Sequence, residues 1–184
     1  MKKLKQYSLV SMIVLFTACG TESIVNNPER VDMWDYMTSA LNYSVKYDIY
    51  ENRIKTNYYE EDHRRLSDEI YESVSTDGVT TLYLTGSIIT MQEPDQEVII
   101  KRYLHLGDEN IFNGKFIDNC RFAQYYKDYE VKGEIFHGIV MVACTSVSGV
   151  KQEYYYGYNE GLVYRYIDDG ISIKERVKTH ESML

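Results

Sequence analysis

The 184-residue chain has little proline, with 2 residues, and little cysteine, with 3. So few prolines exclude a proline-rich linker or disordered tail. So few cysteines exclude a small disulfide-dense scaffold, and a chain of this length buries a core without such staples. Basic residues are in deficit, because 20 Lys and Arg face 28 Asp and Glu for a net charge of −8. Three of the lysines, Lys2, Lys3 and Lys5, lie in the first 18 residues, so the remainder carries −11. An acidic body without a basic stripe repels phosphate backbones, and no nucleic-acid partner is expected. Beyond the opening segment no apolar run approaches the roughly 20 residues of a membrane span. The sequence also lacks G-x-S-x-G, a phosphate-binding loop, H-E-x-x-H, the oxygen-ligand spacing of an EF-hand and a strong internal repeat. No catalytic residue, cofactor or metal is assigned.

What the chain has, it has first at its start. Lys2, Lys3 and Lys5 precede the largely apolar run Leu9 to Phe16, and the small pair Thr17-Ala18 follows. Charge, apolar run and small residues in that order form a secretory signal. Phe16-Thr17-Ala18-Cys19 resembles the lipobox of bacterial lipoproteins, with Phe16 where Leu is usual. The resemblance implies cleavage before Cys19 and lipid on its sulfur, which tethers the domain durably because each buried CH₂ of an acyl chain adds about 0.8 kcal/mol. Gly20 follows the cysteine in place of the Asp that marks inner-membrane retention in enterobacterial-type sorting. In an organism with two membranes the resemblance therefore implies the outer one. The expected organisation is a signal peptide over 1–18, a lipidated N-terminus and polar tether over 19–30, and a single β-rich domain over 31–184.

In the body, Met33, Trp34 and Met37 at helical spacing predict a short helix that caps one end of the core. Tyr43, Val45, Tyr47 and Ile49 alternate with polar residues and predict a strand, with Ile54 to Tyr58 returning beside it. Glu60 to Arg65 is charged throughout and reads as exposed. Asp77-Gly78, between Glu69 to Val74 and Val79 to Leu84, marks a hairpin, since glycine takes positive φ without steric cost. Gly86 to Met91 and Glu97 to Leu106 form another. The pattern weakens from Asp108 to Lys132, where Phe122 to Tyr129 reads as a short helix or irregular loop. It returns in Gly138 to Val147, apolar on both faces and hence central, and in three further strands to Lys178. Nine or ten strands with one or two short helices predict a mainly β domain, an antiparallel sheet curled into a sandwich, half-barrel or barrel.

With Cys19 given to lipid, Cys120 and Cys144 suggest a disulfide in an exported domain. Buried free thiols are the alternative, whereas redox chemistry usually takes a closely spaced pair. His63, His105, His137 and His180 show no ligand spacing, and nothing in sequence places His137 beside Cys144. Ser148-Gly149-Val150-Lys151 matches S-x-x-K, but in a predicted turn rather than on a helix. Glu60-Glu61-Asp62 and Asp168-Asp169 read as solvated loop charge.

The string Glu153-Tyr154-Tyr155-Tyr156-Gly157-Tyr158-Asn159-Glu160-Gly161-Leu162-Val163 is similar to a tyrosine-rich "YYYAKGxGLV" hairpin in the closing strands of exported and lipid-anchored bacterial proteins. The likeness covers about 11 residues and implies a β-rich exported domain. It differs at Tyr158-Asn159-Glu160. Alternation puts Tyr154, Tyr156 and Tyr158 on one face, with Tyr164 and Tyr166 available on the next strand, as cross-strand packing or as a ligand platform. The leading expectation is a membrane-anchored envelope lipoprotein that binds a protein, lipid or other envelope component and is not an enzyme. The alternatives are a hydrolase of envelope polymer working through carboxylates or His137, and a structural subunit of an envelope assembly.

Overall fold

The computed structural model describes residues 28–184. The leader, Cys19 and most of the tether lie outside them. In chain order the elements are β1 (Val31–Asp32), α1 (Met33–Met37), β2 (Tyr43–Glu51), β3 (Ile54–Arg65), β4 (Ile70–Ser75), β5 (Gly78–Thr85), β6 (Ile88–Gln92), β7 (Glu97–Lys101), β8 (Tyr103–Leu104), β9 (Phe112–Gly114), β10 (Ile117–Val131), β11 (Glu134–Ser146), β12 (Lys151–Gly157), β13 (Gly161–Asp168) and β14 (Ile173–Met183).

Short turns set the registers of neighbouring strands. Asn52 and Arg53, at φ 48° and 70°, join β2 to β3, and Lys132 and Gly133, at 53° and 87°, join β10 to β11. Two successive positive φ values match the right-handed twist of the flanking strands. At Gly78, φ is 132° and a Cβ would stand 2.8 Å from Pro94 Cγ, so both backbone shape and close approach demand glycine.

Twelve strands form a closed antiparallel barrel in the order β10-β11-β12-β13-β14-β2-β3-β4-β5-β6-β7-β9. The chain's last strand, β14, lies beside β2, and β9 meets β10 at Ile117↔Gly114. Closure is reinforced between Phe122 N–H and the Asp108 carbonyl at 2.9 Å and between Ile111 N–H and the Cys120 carbonyl at 3.1 Å. Closing the sheet removes exposed edges. The expected mainly β fold is present.

One end of the barrel is plugged. β1 pairs with β8, and α1, which follows β1, buries Met33, Trp34, Tyr36 and Met37. Asp32 caps α1 by accepting from Trp34 N–H at 3.1 Å. It also receives Arg102 Nε and Nη2 at 2.8 and 2.7 Å, a bidentate pair that fixes the plug to the wall. The turns 92–97, 114–117 and 146–151 stand at the opposite end.

Both faces of the β10 to β13 wall carry apolar clusters. The inner core gathers Ile89, Val98, Ile100, Phe122, Val140, Val142 and Tyr156 around the plug. On the outside, Phe136, Ile139, Tyr155, Val163, Tyr164 and Val177 form a second cluster, with Tyr126, Tyr129 and Val131 packed against it. The far half of the β10–β11 hairpin supplies this cover, with Tyr129 stacked on Tyr155 at 4.6 Å between ring centroids.

Two expectations are corrected. Phe122 to Tyr129 is strand, part of the 15-residue β10, because its side chains meet apolar partners on both faces. Glu60 to Arg65 is not an exposed charged segment: it completes β3, and alternation turns Glu61 and His63 inward, leaving His63 only 7% exposed.

Candidate functional site: the barrel lumen

Twelve strands enclose more space than their side chains fill, and a cavity of about 410 Å³ remains. One wall is apolar, formed by Leu82 on β5, Met91 on β6, Phe112 on β9 and Ile117 on β10, with Met37 of the plug. Across the lumen β3, β12, β13 and β14 supply Glu61, His63, Gln152, Arg165 and Arg176, and the β6–β7 turn adds Glu93, Asp95 and Gln96.

On the polar wall Arg165 and Arg176 are direct cross-strand partners. Like charges facing each other are unfavourable, so each guanidinium needs compensation. Arg176 has it: Nη1 lies 3.6 Å from Glu61, and its guanidinium carbon is 4.2 Å from the Tyr59 ring centroid. Glu61 also lies 3.2 Å from His63 Nε2. Burial pushes the Glu61 carboxyl up, but the adjacent His63, the Arg176 charge and the Tyr59 hydroxyl outweigh it and hold it below the usual carboxylate range.

Arg165 is placed differently. Its Nη2 donates to Gln152 Oε1 at 2.9 Å and approaches the Tyr154 hydroxyl at 3.4 Å, and the guanidinium sits 5.0 Å from the Tyr154 ring centroid. Its Nε is buried without a hydrogen-bond partner, and among the described residues no carboxylate pairs with it. Gln96 Oε1 and His63 Nδ1 are likewise buried without partners. Such groups cost roughly 1 to 3 kcal/mol each when nothing satisfies them.

Buried tyrosines make this wall rigid. The Tyr47 hydroxyl donates to the Leu162 carbonyl at 2.9 Å and Tyr43 to that of Glu160 at 3.1 Å. Burial pushes both phenols well above their ordinary pKa, so they stay neutral donors. The His63 ring is stacked on Tyr43 at 4.6 Å.

Compared with known proteins, the chain matches no protein-family model and no curated protein. Among solved structures it is similar to a chain described as the hypothetical lipoprotein YmcC from Escherichia coli (K12). The identity is 13%, the TM-score is 0.34, and the alignment covers 79% of this chain and 88% of the other.

The structure divides the tyrosines that the sequence grouped. Tyr154 and Tyr156 line the lumen, their rings parallel within 11° at 6.3 Å. Tyr158 stands beyond the end of β12, 54% exposed, edge-on to Tyr36 at 5.6 Å. Tyr164 and Tyr166 belong to the outer cluster. Tyr154 and Tyr156 thus share the lumen face, whereas a bulge on β13 turns Tyr164 and Tyr166 outward. The register steps from Tyr155↔Tyr164 to Tyr156↔Leu162, which makes Val163 an extra residue. One extra residue reverses the faces of those after it, so Arg165 rather than Tyr164 stands opposite Tyr154.

Cys120 and Cys144 are bonded as a disulfide between direct partners on β10 and β11. Cys144 therefore offers no thiol to His137, which is exposed and 2.6 Å from Asp128. Ser148 and Lys151 lie at the exposed β11–β12 turn, away from any helix. Asp169 organises the β13–β14 turn, accepting from the N–H groups of Ile171 and Ser172 at 2.8 and 2.7 Å, and those bonds lower its pKa. In the sequence Glu61 reads as loop charge and His63 as a histidine without ligand spacing, and Arg165, Arg176 and Gln96 are assigned to no site. For Glu61 and His63 the signal was available, since the hairpin register from Tyr47↔Tyr59 carries on to Val45↔Glu61 and Tyr43↔His63.

Proposed function

We propose that this chain is an envelope lipoprotein, cut after residue 18 and held on a membrane by lipid on Cys19, whose barrel binds a small ligand in its lumen without transforming it. In an organism with two membranes the reading places it on the outer one. The observation that carries the binding reading is the cavity: about 410 Å³ lies within the range of ligand sites, and an apolar wall faces a few fixed polar groups. The anchor rests on the lipobox-like Phe16-Thr17-Ala18-Cys19. The test is to purify the full chain from its own membranes, extract it with solvent and analyse what is released, beside Leu82→Trp, which fills the lumen from the apolar wall. A stoichiometric small molecule that is lost in Leu82→Trp is the expected result. A wild-type chain that yields no such molecule, or the same yield from both proteins, would overturn the reading.

One observation favours a second reading, hydrolysis. Ser73 lies opposite His63 in register, and both line the cavity with Glu61. Neither ring nitrogen of His63 makes a hydrogen bond to Ser73, and Glu61 is shared with Arg176, so binding has the stronger support. Ester cleavage by the wild type that Ser73→Ala abolishes would reverse that preference.

A further inference from the structure

We infer that the lumen takes an anionic amphiphile of medium chain length, with its carboxylate or phosphate head against Arg165 and its apolar chain along the opposite wall. This rests on the lumen-binding reading and adds the ligand's chemistry. Four observations converge on it.

The first is the charge left over on the polar wall. Arg165 and Arg176 face each other across one register position, yet Glu61 answers Arg176 alone. Gln152 and Tyr154 hold the Arg165 head in place without neutralising it. The second is chemistry: Arg165 lines the cavity with its Nη2 held by Gln152 and Tyr154, and a guanidinium offers a fork of N–H donors suited to carboxylate or phosphate. The third is the far wall, where Leu82, Met91, Phe112 and Ile117 offer a chain only carbon and sulfur. The fourth is size. A cavity of about 410 Å³ lies at the small end of the range of ligand sites, which suits a single chain.

Glu93 and Asp95 also line the cavity, on the β6–β7 turn. Glu93 accepts from Gln96 Nε2, which holds that carboxylate on its own turn. The two carboxylates repel an anionic head from the β6–β7 turn and favour its placement at β13.

The test is titration calorimetry on the full chain carrying Cys19→Ala, purified without detergent, with dodecanoate, dodecyl phosphate, dodecan-1-ol and inorganic phosphate as probes. The expected result is 1:1 binding of the two charged amphiphiles, each about tenfold or more tighter than dodecan-1-ol, with inorganic phosphate far weaker than either. Arg165→Gln should erase that advantage and leave dodecan-1-ol binding unchanged, and Arg165→Lys should keep part of it. Retained dodecan-1-ol binding shows that Arg165→Gln is folded. Equal affinity for dodecanoate and dodecan-1-ol in the wild type would overturn the anion site and leave lumen binding standing. Inorganic phosphate binding as tightly as dodecyl phosphate would overturn the amphiphile and leave a plain anion site. No binding of any probe would overturn this inference together with the lumen reading.

Discussion

Replacing Trp34 with alanine tests whether the plug is part of the barrel core or only rests on it. Trp34 is 4% exposed, so nearly all of its side-chain surface is withdrawn from water. A tryptophan buries roughly 150 to 250 Å², which at about 25 cal/mol per Å² corresponds to about 4 to 6 kcal/mol. Truncation of large aromatic residues in packed cores costs about 3 to 5 kcal/mol, in agreement. Against a total stability of about 5 to 15 kcal/mol for a domain, Trp34→Ala should remove roughly a fifth or more. Trp34→Phe separates packing from hydrogen bonding. The indole Nε1 is buried with no partner, so phenylalanine keeps most of the ring and removes an unsatisfied donor worth roughly 1 to 3 kcal/mol. Its cost should be well under half that of alanine. The assay is urea unfolding followed by circular dichroism, on oxidised full chain carrying Cys19→Ala in every sample. Trp34 is the chain's only tryptophan, so the emission of the parent protein reports on the plug alone. A blue-shifted native emission that moves red in one step with the loss of strand signal is expected. A Trp34→Ala loss of less than about 1 kcal/mol, or a plug that melts well before the barrel, would refute the reasoning.

Three further outcomes follow from the same geometry. Because the folded pKa of Glu61 is depressed, its contribution is fully present above the unfolded value of about 4.3 and is lost as pH falls through the folded value. Acid titration of stability should therefore be shallower in Glu61→Gln than in the wild type, and identical slopes below about pH 4.3 would count against the buried Glu61, His63 and Arg176 cluster. Reduction of the bond between Cys120 and Cys144, which are 24 residues apart in sequence, should cost about 3 kcal/mol by chain entropy, and unfolding midpoints with and without reductant would measure it. Tyr164→Phe removes the donor that the Glu175 carboxylate receives at 2.9 Å on the outer face, so a loss of about 1 to 3 kcal/mol is expected with no change in lumen binding.

Much of the fold is legible where one face is buried and the other is wet. Asp77-Gly78 and the alternation around Tyr43 to Ile49 each point to the hairpin that forms there. Legibility fails where both faces are buried. Phe122, Tyr125, Tyr126 and Tyr129 fall at the spacing of a helical stripe, yet Phe122 and Tyr125 pack inward and Tyr126 and Tyr129 pack outward. A register step between Phe122 and Gln124 disturbs the alternation further. The candidate site was harder to read for a related reason. The charge of Glu60 to Arg65 suggests solvent and masks the hairpin register that turns Glu61 and His63 into the lumen. Arg165 owes its position to one extra residue, Val163, and nothing in the string Gly161 to Tyr166 marks which residue a bulge will displace. Cys120 and Cys144 could be proposed as partners from compartment and number, but their direct opposition depends on the register of β10, the strand least evident in the sequence.

The measurement that bears most directly on lumen binding is the methyl NMR spectrum of the full chain carrying Cys19→Ala, titrated with dodecanoate. Met37, Leu82, Met91 and Leu162 line the cavity, whereas Ile54, Ile135 and Ile171 are exposed on the outside. Saturable shifts confined to the first group are the predicted result. Shifts confined to the second group, or none at all, would contradict binding within the barrel.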